Sequence, residues 1–234
     1  VYRQRLYALI DKMHQATIKT WFPELKLAHD ATRAEVLRLQ EHWRQVFADQ
    51  SDPIANFVIK DAYKFNTRTF MKKLKDVGFA VKFQWTPQMQ SIFNDAVREN
   101  VELIRSIPEK YFGEIRKYVR ELYSKEGSEG DLHTLTNKLE SLPGMTRRRA
   151  AIIATDQNRK LTSQFNQARY QEIGINRAVW QHSGGGNEPR PTHVKNSGKV
   201  YDVSLGWFDP AVGQHIQPGQ LPNCRCFSRP VIEL

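Results

Sequence analysis

Near the end of the chain Asn223-Cys224-Arg225-Cys226 follows Pro218-Gly219 and Pro222. The two cysteines are the only ones in 234 residues. With a single residue between them, they would close a small and strained ring, so no disulfide between them is expected. Thiolates with imidazoles are a zinc ligand set, and His182, His193 and His215 lie in the same stretch. Cys224, Cys226 and His193, with His215, are the candidate metal ligands. A metal would supply folding free energy to a segment with few apolar side chains. Against it, structural zinc sites usually space paired cysteines by roughly two to four residues, not one. The alternative is that both thiols are small buried hydrophobes. A third reading makes Cys224 a nucleophile, its pKa lowered by Arg225 and its proton taken by a histidine. No local signature fixes that pairing.

Glu188, Arg190, His193 and Asp202 offer a second chemistry, metal-assisted phosphodiester cleavage. That reaction needs carboxylates converging on a divalent ion, and the acidic residues here are few and scattered. Arg190 and His193 are instead expected to hold a long loop, and no enzyme is expected. Arg147-Arg148-Arg149 is read as the start of a long helix, where cations oppose the helix dipole. With Arg159, Lys160, Arg169 and Arg177 it could line a surface for phosphates or an acidic partner. The alternative is a solvated helix face. Trp207-Phe208, in a loop, either plugs a small core or docks on another subunit. Nothing resembles a helix-turn-helix, finger or RNA-binding signature, so contact with nucleic acid would be backbone-directed and salt-sensitive.

The elements that must position these residues follow from pattern and charge. The net charge is +10, with +4 over residues 1–131 and +6 over the shorter remainder. This balance suits a polyanion, an acidic surface or an anionic membrane. No apolar run approaches the ~20 residues of a spanning helix, and no membrane association is expected. No signal peptide is read, and Val1 in place of Met is expected of a longer product that was trimmed or is partly ordered. Residues 1 to about 180 read as helical. Breaks are expected at Pro23, Ser51-Asp52-Pro53, Gly78, Thr86-Pro87, Pro108, Gly127 to Gly130 and Pro143-Gly144, with Thr146 capping the last long helix up to Gly174. Residues 79–85 read as a short strand or extended link. Residues 178–182, 199–203 and 226–232 read as strands, with loops at 183–191 and 206–222. The expected fold is α+β: a mainly helical body over 1–130 and, over 131–234, a long helix plus a small irregular module of short antiparallel strands.

The second half resembles the minor head protein family of tailed bacteriophages, typified by the Mu F protein. The resemblance is carried by Arg149-Ala150-Ala151-Ile152-Ile153-Ala154 with Asn158-Arg159, Gln167-Ala168-Arg169, Gly174 and Val179-Trp180. It continues through Glu188, Arg190, His193 and Gly198-Lys199-Val200-Tyr201 to Pro218-Gly219, Pro222 and Asn223-Cys224-Arg225-Cys226. It covers roughly residues 132–232. Two departures are Thr155-Asp156-Gln157, where the family often has Arg-Thr-Glu, and Glu188, where it often has Asp. The resemblance implies a virion structural protein in the head near the portal vertex, in the host cytoplasm during assembly. It implies portal or major capsid protein as partners and a part in head assembly and in DNA packaging or ejection. No cofactor is expected. Arg147, Arg148, Arg149, Arg159, Lys160, Trp207 and Phe208 are the candidate contacts with a partner or with packaged double-stranded DNA. The alternatives are a metal-assisted nuclease and a non-catalytic, non-specific DNA-binding module.

Overall fold

The structure is a computed structural model, and it describes residues 1–21, 29–76, 78–79, 81–123, 132–185 and 188–232. The elements in chain order are α1 (Tyr2–Trp21), α2 (His29–Asp76), α3 (Pro87–Tyr123), α4 (Leu132–Glu172), β1 (Arg177–Gln181), α5 (Pro191–Lys195), β2 (Val200–Asp202), β3 (Trp207–Asp209), β4 (Gln214–Ile216) and β5 (Phe227–Pro230). The α+β expectation holds. No described helix is long and apolar enough to cross a membrane.

Three expected breaks are absent. Pro53, Pro108 and Pro143 lie inside α2, α3 and α4. Each removes the N–H that would serve the carbonyl four residues earlier, at a cost of about 3 kcal/mol. Each also sits two residues after a serine whose hydroxyl ties into the adjacent carbonyl row. Ser51 donates to the Ala48 oxygen at 2.8 Å, Ser106 to Leu103 at 2.7 Å and Ser141 to Lys138 at 2.8 Å. Burial on both sides of the prolines supplies the rest: Phe47 and Ile54, Ile104 and Phe112, Leu139 and Ala150 are all in the core. At about 1.5–3 kcal/mol per large apolar side chain, that burial outweighs the lost bond. Thr146 is therefore no cap. It is buried and donates back to the Leu142 oxygen at 2.9 Å.

Other punctuation is as read. The Thr86 hydroxyl accepts from the Met89 N–H at 3.2 Å ahead of Pro87. Gly174, at φ 75°, closes α4, with Ile175 N–H bonded to the Tyr170 oxygen at 2.8 Å. Residues 81–86 are an extended link rather than a strand. The breaks expected at Pro23 and at Gly127 to Gly130 lie outside the described residues.

The chain packs as two compact units, Val1–Val58 with Val97–Ala154, and Ile59–Ala96 with Thr155–Leu234. Each takes residues from both sides of position 131. The first is helical, around Leu6, Ile10, Phe47, Ile104, Phe112 and Leu139. The second joins parts of α2, α3 and α4 to all five strands. β1 is central in a three-stranded antiparallel sheet of order β2-β1-β5, with Ala178 opposite Tyr201 and Trp180 opposite Ser228. β3 and β4 form a separate hairpin inside the segment expected to be loop, with Phe208 opposite His215. The core of this unit gathers Phe70, Tyr170, Trp180, Tyr201, Ile216, Cys224 and Cys226.

Candidate metal centre

Four separate pieces of the second unit bring one site together. Trp180 is on β1 and fully buried. His193 is on α5, a short helix in the loop after β1, where Pro191 opens the first turn. Pro at that position fits a helix start, because its missing N–H would have had no partner there. Asp209 ends β3. Cys224 and Cys226 lie on the approach to β5.

Local backbone chemistry sets the cysteine turn. Asn223 adopts φ 59°, its N–H donates to Asp156 of α4 at 3.0 Å, and the Cys224 N–H bonds the Leu221 oxygen at 3.0 Å. Gly219, at φ 84°, lies so close to α4 that an added Cβ would be 3.4 Å from the Arg159 oxygen. The hairpin depends on Gly206 at φ 82°, where an added Cβ would fall 2.6 Å from the Ile216 oxygen. Only glycine fits such a position without strain.

His193, Cys224 and Cys226 are buried, and their ligand atoms lie within 4.8 Å of one another. His193 Nδ1 is 3.4 Å from Cys224 Sγ and 3.6 Å from Cys226 Sγ. Its other nitrogen, Nε2, lies 3.2 Å from Oδ2 of the fully buried Asp209. The second Asp209 oxygen accepts the Ala211 N–H at 3.0 Å. The imidazole meets Trp180 and Trp207 edge to face, with centroids 5.1 and 6.2 Å away. The Cys226 side chain beside Cys224, with the backbone N–H groups of Cys226 and Gly219, lowers the Cys224 pKa to about 5 against the cost of burial. The same side-chain contact and burial hold the Cys226 thiol well above the usual range.

A cavity of about 310 Å³ opens onto this cluster, lined also by His182, Glu188, Arg190 and Arg225. Two soft sulfurs and one imidazole suit zinc better than magnesium or calcium. Of the four candidate ligands, the fold gathers Cys224, Cys226 and His193. His215 is elsewhere, exposed on β4 and edge to face with Phe208 at 5.3 Å between centroids. Asp202 is also apart, its carboxylate accepting from the Ser204 and Leu205 N–H groups in an exposed turn. Asp209 escaped sequence reading. Asp-Pro in a Gly-containing loop signals a turn, and nothing local marks its carboxylate as buried beside a histidine.

The candidate contact residues divide. Arg147 is bonded to Asp11 and lies over Tyr7, and Arg149 donates to Ser106 at 3.3 Å. The tribasic run is mid-helix in α4, so it does not oppose the helix start. Arg148 is exposed, whereas Arg159 and Lys160 are half-buried. Arg169 is fully buried and lines no surface: its guanidinium donates to Asn66 and Thr67 and is ringed by Tyr63, Phe70, Phe83 and Phe165. Trp207 packs into the core, while Phe208 is half-exposed.

Residues 124–229 match the family of Phage Mu protein F like proteins. The resemblance read over residues 132–232 is thereby borne out, and the Mu F-like segment contains every member of the cysteine–histidine cluster. Over 198 residues the chain is also 26% identical to an uncharacterized protein of Haemophilus influenzae (strain ATCC 51907 / DSM 11121 / KW20 / Rd), covering 83% of this chain and 42% of that protein. The chain thus spans less than half the length of this relative. No solved structure matches.

Proposed function

We propose that the chain is a structural component of a tailed-phage head, a non-catalytic module that docks near the portal vertex on portal or major capsid subunits. Its part is in head assembly and in packaging or ejection of DNA. The single observation that carries this reading is the Mu F-like match over residues 124–229. The charge of +10 supports a position beside packaged DNA through non-specific phosphate contacts. Arg148, Arg159, Lys160 and Phe208 remain as contact candidates, since each has some surface to offer.

The test is mass spectrometry and labelled-antibody microscopy of purified particles. The protein should be found in heads, at one vertex and in few copies. Its absence from particles whose assembly depends on it would overturn a structural role. The cavity also gathers Glu188, Arg190 and His193, the trio a nuclease would use. That second reading predicts DNA cleavage by the purified chain, abolished by Glu188→Gln with the fold intact.

A further inference from the structure

We infer that His193, Cys224 and Cys226 bind a Zn²⁺ ion whose fourth coordination position opens onto the cavity and takes water or a small anion. This assignment goes beyond the head-protein reading and stands independently of it.

The first argument is distance. Zinc bonds of about 2.3 Å to sulfur and about 2.0–2.1 Å to nitrogen, set at the tetrahedral angle, place sulfur about 3.5 Å from nitrogen. The two edges here are 3.4 and 3.6 Å. Two edges of the required tetrahedral face are thus in place, and the two sulfurs lie within 4.8 Å of each other.

The second argument is the orientation of the ring. Asp209 Oδ2 lies 3.2 Å from His193 Nε2, so that edge of the imidazole is taken by a carboxylate. Nδ1 is the nitrogen left facing the two sulfurs, at 3.4 and 3.6 Å. One cation at the centre serves all three atoms. The carboxylate–histidine pair is also the arrangement that fixes the ring and raises the basicity of a zinc-bound imidazole. The third argument is an orphan. The fully buried Trp180 indole N–H completes no hydrogen bond, although its ring meets His193 edge to face at 5.1 Å. A metal-held thiolate in this cluster is the kind of acceptor such a donor lacks.

The fourth position follows from the cavity. Among the described residues no further histidine or carboxylate oxygen joins the three-atom cluster. His182 and Glu188 line the cavity without belonging to it. His182 Nδ1 is already occupied, accepting the Gly184 N–H at 3.0 Å. Arg190 and Arg225 line the same cavity and give it an anionic preference. A site with three protein ligands and one open position binds solvent or an exogenous ligand, in contrast to closed structural sites.

The experiment uses the full chain. Expressed in zinc-replete medium, it should carry about one zinc per chain by elemental analysis. Replacement by Co²⁺ should give thiolate-to-cobalt charge transfer and tetrahedral d–d bands. Potassium thiocyanate should shift the d–d bands, while His182→Ala and Glu188→Gln should leave the cobalt spectrum unchanged. Cys226→Ser should remove much of the charge-transfer intensity. If that variant does not fold, X-ray absorption of the wild-type zinc protein decides, with two sulfur and two light-atom scatterers expected. Metal-free protein, or cobalt without thiolate charge transfer, overturns the site. A cobalt spectrum silent to thiocyanate, or one changed by either cavity variant, overturns the open position.

Discussion

Asp209→Asn isolates the part of the centre that touches no metal. The amide keeps the volume of the carboxylate, and its oxygen can still accept the Ala211 N–H as Asp209 Oδ1 does. What it removes is the negative charge 3.2 Å from His193 Nε2, on a side chain with no solvent exposure. Outer partners of zinc-bound histidines typically contribute 10–100-fold in affinity, or about 1.4–2.7 kcal/mol. Complete burial of Asp209 removes solvent screening and places the expectation at the upper end, near ~100-fold. Competition against a chromophoric zinc chelator would read it directly. Urea unfolding of the metal-free variant would separate that effect from damage to the hairpin, because the turn bonds to Asp209 are largely kept. An affinity within about twofold of wild type would refute the claim that the carboxylate tunes the imidazole.

Three further outcomes follow from the packing. Gly206→Ala forces a Cβ to 2.6 Å from the Ile216 oxygen at φ 82°, and should lower stability by about 2–4 kcal/mol through strain and clash; thermal unfolding within a few tenths of wild type would contradict it. Arg169→Ala empties an aromatic ring of four side chains and strands the Asn66 and Thr67 acceptors, with an expected loss of about 3 kcal/mol in denaturant titration. His14 has its pKa lowered by burial and by Arg147 against the opposing pull of Asp11. Its stabilisation is therefore complete above the unfolded value near 6.5 and is lost as pH falls through the depressed folded value. His14→Gln should flatten that part of the stability–pH curve, and an unchanged slope would show that the protonation is not linked to folding.

The helical class, the main apolar faces and the chain order of the module are all legible in local pattern. Leu6, Ile10 and Met13 on α1, and Tyr111, Phe112 and Ile115 on α3, are buried as their spacing requires. Gly174, Thr86-Pro87 and β1 are equally local matters of backbone preference. The sequence also marked Cys224, Cys226 and His193 as ligand types, because only a few side chains bind metal.

Tertiary structure decided the rest. Pro53, Pro108 and Pro143 carry a local penalty that reads as a break, and only the burial of flanking residues shows that the helices run on. Arg169 reads as a surface cation, but its neighbours in the fold are aromatic rings from other elements. His193 and His215 are equivalent as letters. What separates them is that α5 points one imidazole at two sulfurs and a buried Asp209, while β4 leaves the other edge to face with an exposed phenylalanine. Distance and burial are properties of chain segments brought together across many residues, and no local pattern carries them.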